Sequence, residues 1–116
     1  MKPGEALDHA LAKPGAWPDE PWEGDTVAKV DAKIFCFGGA RTVGVKCGVT
    51  REEADEWLRA YPQDAAVMPY IGRNGWNTLT MGGAISDEEI LEAIDTSYRL
   101  VVEKLPKSRR PAGWEG

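Results

Sequence analysis

The spacing of apolar residues predicts three helices in this chain. Apolar residues recur at helical spacing within residues 4–12, and the Lys-Pro-Gly at 13–15 ends that segment. Two further stripes begin after Thr50 and Ser86, each of which opens a capping-box sequence. The apolar positions of these two helices are Ala54, Trp57, Leu58 and Tyr61, and then Ile90, Leu91, Ile94, Tyr98, Val101, Val102 and Leu105.

Between the helices, β-branched and alternating residues predict five strands, at 26–30, 33–37, 42–47, 65–70 and 76–81. The order α-βββ-α-ββ-α predicts an α+β fold of two layers, an antiparallel five-stranded sheet with helices packed on one face.

Three further details of the fold depend on weaker signals. The proline-rich connector at 16–25 has no period, so we predict an ordered loop that is pinned by Trp17 and Trp22. A hairpin turning between Gly39 and Ala40 would place Cys36 opposite Val43. Gly44, inside the third strand, indicates a bulge or the close approach of another element.

Length and composition favour one compact domain. The chain has 116 residues, and we assign 1–106 to a single domain and 107–116 to a mobile C-terminal tail. No apolar run reaches the length of a membrane span, and the N-terminus lacks the apolar stretch of a signal peptide. We therefore expect a cytoplasmic monomer with no membrane partner, and we expect Cys36 and Cys47 to stay reduced.

The sequence contains no recognisable catalytic constellation. His9 is the only histidine, and no phosphate-binding loop or nucleophile motif is present. Two cysteines and one histidine without ligand spacing do not make a zinc site. Acid pairs such as Glu52/Glu53 lie at helix starts, where capping explains them. We predict a protein that is not an enzyme and that holds no metal or cofactor.

Charge is distributed unevenly along the chain. The net charge is −5, which argues against a general nucleic-acid binder. Residues 28–51 nevertheless carry five basic residues against one acid, a local net of +4. The first three predicted strands, from 26 to 47, form an antiparallel meander. Candidate DNA-binding residues are therefore Lys33, Arg41 and Lys46 in this meander and Arg73 in a later loop. If the meander binds DNA, the first three must share one side or one rim of the sheet.

Tryptophan is abundant, with five residues in the chain. We predict that Trp76 starts a strand with its ring buried against the last helix near Tyr98, and that Gly75 permits a close approach or a positive φ. Asn77 is predicted to point its polar atoms outward. Trp22, Trp76 and Asn77 are the candidate residues of a partner or ligand groove.

Several segments together resemble the MmcQ/YjbR family. They are PWEGDTVAKVDAKIFCF, TVGVKC, NGWNTL and EEILEAIDTSYRLVVEKLPKSRR, in the family's order and spacing. The most specific are the Trp-Asn-Thr at 76–78 and the run from Ser97 to Pro106. The resemblance implies a CyaY-like or "double wing" fold, similar to the DNA-binding domain of a phage transcription factor, and with it a DNA-binding role.

Two functional hypotheses remain open from the sequence. One is a non-enzymatic module that binds DNA weakly and without specificity through the basic meander. Three phosphate contacts would give a salt slope of roughly −2.7 on duplex DNA, too small for tight binding. The alternative is a small protein-interaction or ligand-binding domain that uses a Trp-lined sheet edge and has no nucleic-acid role.

Overall fold

A computed structural model describes residues 1–2 and 4–115. Pro3, in the predicted domain, and Gly116, in the predicted tail, lie outside the described residues. The helices are α1 (Glu5–Leu11), α2 (Arg51–Ala60) and α3 (Asp87–Glu103), with short 3-10 turns at Gly72–Asn74 and Lys107–Arg109. The strands are β1 (Ala16–Trp22), β2 (Asp25–Val30), β3 (Lys33–Gly38), β4 (Thr42–Lys46), β5 (Ala65–Val67) and β6 (Trp76–Thr80).

The predicted α+β class is confirmed, but the sheet has six strands and not five. Its order is β1-β2-β3-β4-β6-β5, and every neighbouring pair is antiparallel. The additional strand is β1, which the sequence reading assigned to a loop. Its Pro18 and Pro21 are tolerated because β1 is an edge strand. There, a missing backbone N–H removes no hydrogen bond between two inner strands. Trp17 does pin the segment, since its indole N–H donates to the Asp31 carbonyl at 2.9 Å.

Both predicted helix caps are present. The Thr50 hydroxyl accepts from the Glu53 N–H at 3.2 Å, and the Ser86 hydroxyl accepts from the Glu89 N–H at 3.1 Å. The Glu53 carboxylate reaches back one residue further than a capping box requires, and accepts from the Val49 N–H at 3.1 Å. Local sequence therefore fixes where α2 and α3 begin.

Helix α3 packs across the middle of the sheet with the predicted face inward. Tyr98 and Val102 are buried, and the Tyr98 ring meets Phe35 edge to face at 5.1 Å between centroids. Glu92 and Arg99, which lie between the apolar positions of the helix, are exposed. Asp95 differs, because it is half-buried against α1. Its carboxylate pairs with Lys13 at 2.5 Å and with His9 at 2.7 Å.

The hairpin register differs from the predicted one by two residues. Cys36 lies opposite Val45, and Gly38 lies opposite Val43, because the turn between β3 and β4 is longer than two residues. Both cysteines are free, and burial raises the pKa of each thiol to about 12, which leaves them unreactive. Gly44 marks a close approach, since a Cβ there would lie 2.9 Å from Met68 Cε.

The predicted tail makes contacts with the domain. Arg110 donates to the Leu105 carbonyl at 3.0 Å, and its guanidinium lies over the Trp114 ring at 5.6 Å. Pro111 packs against Gly15. The mobility of residues 107–116 and the domain boundary at 106 stay predictions.

A bulge in β3 separates β3 from β4 at one end of the sheet. Pairing with β2 passes from Ala28–Cys36 to Lys29–Ile34, so Phe35 is an extra residue in β3. The β3–β4 pairing accordingly ends at Cys36–Val45. Beyond it, the Phe35 carbonyl accepts from the Ser97 hydroxyl at 2.6 Å, and the Lys46 N–H donates to the same hydroxyl at 2.9 Å. A side chain of α3 therefore replaces the missing backbone contact.

We predict that Ser97→Ala lowers the free energy of unfolding by about 1–3 kcal/mol, because it leaves a buried carbonyl and a buried N–H without a partner. The neighbouring Thr96→Ala is the control and should change it by no more than about 0.5 kcal/mol. Urea denaturation measures both. Equal effects of the two substitutions would contradict the bridging role of Ser97.

Candidate functional site

The two faces of the sheet differ in what covers them. Side chains of directly paired residues point to the same side, so Phe37, Gly44 and Thr78 share one face. Their neighbours in the strands face the helices, as shown by Gly38, which lies against Leu7 of α1. In the described part of the chain, the face that carries Phe37 is therefore the one opposite α1. We call it the open face.

An aromatic row runs across the open face. Trp22 stacks on Phe37 with centroids 6.5 Å apart, and Phe37 meets Trp76 edge to face at 5.8 Å. Trp22 is 57% exposed, whereas Trp76 is only 9% exposed. The two tryptophans proposed for a groove thus lie on one surface, at opposite ends of the row.

Trp76 is placed largely as predicted. It is the first residue of β6 and is buried. Its aromatic partner is Phe37 and not Tyr98, because the bulge turns Phe35 toward Tyr98 instead. Both suggested roles of Gly75 hold: its φ is +90°, and a Cβ there would lie 2.1 Å from the Gly48 carbonyl oxygen.

The prediction that Asn77 points its polar atoms outward is wrong. Asn77 is 0% exposed and lies on the helix-covered face, where its amide donates to the Ala54 carbonyl at 2.9 Å. Its side-chain oxygen accepts from Arg51. Arg51 also donates to the carbonyls of Gly72 and Trp76 at 2.6 and 3.0 Å. Asn77 therefore ties α2 to β6 and does not line a groove.

A cavity of about 380 Å³ opens where β3 and β4 separate. We call it the lysine pocket. Three of its lining residues are basic and the others are apolar, and none is acidic. The lining residues are Lys33, Ile34, Lys46, Trp76, Val101, Lys104 and Leu105.

As a candidate DNA-binding residue Lys46 should lie at the surface, and this expectation is wrong, because Lys46 is only 5% exposed. It lies opposite Trp76 in the sheet, and its Nζ donates to the Asn74 carbonyl at 2.8 Å. Burial lowers the pKa of Lys46, and the nearby charge of Lys104 lowers it further. Within the described part of the chain, Lys33, Lys46 and Lys104 form no salt bridge with a carboxylate.

The predicted basic residues do not share one rim. Lys33 and Lys46 meet at the lysine pocket, and exposed Arg73 lies next to Asn74 at the same end. Arg41 precedes β4, roughly 16 Å of strand away from Lys46. Lys104 was missed as a site residue, because a lysine at the end of a helix is already explained by the helix dipole. The available signal was its position three residues after Val101, since this helical spacing places it beside the apolar stripe.

Among residues 1–2 and 4–115, no group of three His, Cys, Asp or Glu side chains is placed to hold a metal ion. Within those ranges, no helix has both the length and the apolar character of a bilayer span.

The fold and pocket define a small α+β domain with a six-stranded antiparallel sheet, helices on one face and a basic cavity at one end. The chain belongs to the YjbR family, whose model matches residues 11–100. It is 28% identical to the protein named YjbR of Escherichia coli K12, over 95% of each chain. Two crystal structures share the fold at lower identity.

The first of these is a Deinococcus radiodurans protein with a DUF419 domain, at a TM-score of 0.82 and 23% identity, covering 95% of this chain and 86% of that one. The second is a Pseudomonas syringae protein at a TM-score of 0.61 and 19% identity, covering 86% and 98%. These similarities confirm the family and the fold class that the sequence indicated.

We predict that Trp76→Ala lowers the free energy of unfolding by about 3–5 kcal/mol, because it empties a buried ring site. Trp22→Ala, at the exposed end of the same row, should remove mainly one stacking contact and lower it by about 1 kcal/mol. Chemical denaturation of the two variants measures the difference. A near-wild-type stability for Trp76→Ala would overturn the packing role.

Proposed function

We propose that this protein is a non-enzymatic binding module whose lysine pocket takes a ligand with a phosphate or carboxylate group. The observation that carries the proposal is the grouping of Lys33, Lys46 and Lys104 around one cavity without a carboxylate. The protein has a net charge of −5, so this concentration of unpaired positive charge is not a consequence of overall composition.

The physical reason lies in the cost of burying ammonium groups. A buried charge is unfavourable unless it is paired, and Lys46 has only the neutral Asn74 carbonyl. An anion in the cavity would pair with Lys33 and Lys104 and offset the repulsion between Lys104 and Lys46. Other bases in the chain show the contrast, because Lys13 and Lys29 both pair with aspartates.

The remaining walls suit the rest of such a ligand. Trp76, Val101 and Leu105 supply apolar surface beside the lysines. A cavity of about 380 Å³ lies within the range of roughly 300–1,000 Å³ that small-molecule sites occupy. The ligand class that fits is therefore small, anionic at one end and apolar at the other.

The test uses inorganic pyrophosphate as the probe and the melting temperature as the readout. Pyrophosphate should raise the wild-type melting temperature in a concentration-dependent way, because it binds the folded state. The double variant Lys33→Glu/Lys104→Glu should weaken binding by about tenfold or more, since it reverses two of the three charges.

The matched control is Lys2→Glu/Arg41→Glu, which changes net charge equally at the other end of the sheet. It should keep the wild-type response. Equal loss in both double variants would show that net charge alone governs binding, and would contradict the pocket.

A second candidate function is weak, nonspecific binding of duplex DNA, which the family resemblance implies. The observation that favours it is that Arg73 lies at the same end of the sheet as Lys33 and Lys104, so phosphates of a backbone could meet all three.

We also propose that the protein is cytoplasmic and monomeric. The unpaired thiols support the location.

For duplex DNA we predict a slope of roughly −2.7 for log affinity against log salt, from three phosphate contacts at about 0.9 each. Fluorescence anisotropy at low and moderate salt measures it. Lys33→Glu/Lys104→Glu should abolish binding, and the Lys2→Glu/Arg41→Glu control should retain it. Absence of wild-type binding at low salt would leave the small-ligand proposal alone.

A further inference from the structure

We propose that Lys46 is a nucleophilic lysine that condenses with the carbonyl group of an anionic ligand in the lysine pocket and holds it as an imine. The ligand class is a compound with an aldehyde or ketone close to a carboxylate or phosphate, such as a small 2-oxo acid. This inference rests on the proposed function, because Lys33 and Lys104 would orient the anionic group.

The position of Lys46 supports this role. It is only 5% exposed and lines the wall of the cavity, so its surroundings exclude much of the solvent. Its Nζ is fixed by one hydrogen bond to the Asn74 carbonyl at 2.8 Å. A carbonyl oxygen accepts a hydrogen bond from either an amine or an ammonium group. It therefore positions the nitrogen without requiring that it be charged.

The charges around Lys46 favour its neutral form. The other two titratable residues that line the cavity, Lys33 and Lys104, are both basic. Burial lowers the pKa of Lys46, and repulsion from Lys104 lowers it further. Desolvation and a cationic neighbour are the two means by which proteins turn a lysine into a nucleophile near neutral pH.

The reaction needs no oxidant or reductant. The lone pair of the neutral Lys46 nitrogen attacks the carbonyl carbon, a C–N bond forms, and one of the two nitrogen protons passes to the carbonyl oxygen to give a neutral carbinolamine. The carbinolamine then gives up its hydroxyl as water, with a proton from solvent. The nitrogen loses its remaining proton to solvent as the C=N bond forms. The net change is one imine and one water from one amine and one carbonyl.

The experiment traps the imine in the full-length protein. Wild-type protein is incubated at neutral pH with glyoxylate, an aldehyde joined to a carboxylate, and with sodium cyanoborohydride, which reduces imines to stable amines. Peptide mass spectrometry then follows the rate of modification at each lysine. We expect Lys46 to be modified severalfold faster than the exposed Lys2 and Lys107.

Three further arms separate nucleophilicity from simple access. Lys46→Arg keeps a long basic side chain but has no nucleophilic amine, so it should remove the fast-reacting site. Lys104→Met should slow modification of Lys46, because it removes the neighbouring cation, whereas the control Lys107→Met should leave the rate unchanged. Pyrophosphate should protect Lys46 by occupying the pocket. A purely structural Lys46 would show none of this dependence on Lys104.

The outcomes distinguish this inference from the proposed function. If pyrophosphate raises the melting temperature but Lys46 reacts no faster than Lys107, the imine is overturned and the anion pocket stands. If Lys46 reacts fast but pyrophosphate neither binds nor protects it, the anionic ligand and the proposed function are overturned together. Fast reaction with protection and with dependence on Lys104 supports both.

Discussion

The Ser97 hydroxyl holds β3, β4 and α3 together at the point where the sheet comes apart. It donates to the Phe35 carbonyl and accepts from the Lys46 N–H, so both backbone groups are satisfied although the two strands no longer pair. Buried backbone groups must have partners, and the bulge at Phe35 would otherwise leave two of them without any. The separation of the strands, and therefore the cavity between them, depends on this one side chain.

A second set of contacts, centred on Arg51, holds the backbone around Trp76, which lines the cavity. Its guanidinium joins the carbonyls of Gly72 and Trp76 to the side chain of Asn77. Gly75 lies so close to the Gly48 carbonyl that no side chain fits there. These constraints fix the loop that carries Asn74, and the Asn74 carbonyl in turn positions the Lys46 amino group. Residues far from the pocket thereby determine its geometry.

This protein is acidic, but several of its acidic side chains near the helices already make structural contacts. Glu53 and Glu89 serve the helix starts, and Asp95 joins α3 to His9 of α1. Among the described residues, no carboxylate lines the cavity where the lysines meet. The charged residues that line the cavity are therefore all basic although the protein as a whole is negative, and such a local reversal of sign favours an anionic ligand over a basic one.

The sequence by itself determined the features that depend on neighbours in the chain. The caps at Thr50 and Ser86, the buried stripe of α3, the α+β class and the strand start at Trp76 all follow from spacing and local hydrogen bonding. The register of β3 and β4, strand β1, the burial of Asn77 and Lys46, and the meeting of Lys33 with Lys104 were decided only by tertiary structure. Each depends on contacts between residues far apart in the chain, such as Ser97 with Phe35, and local periodicity carries no information about such contacts.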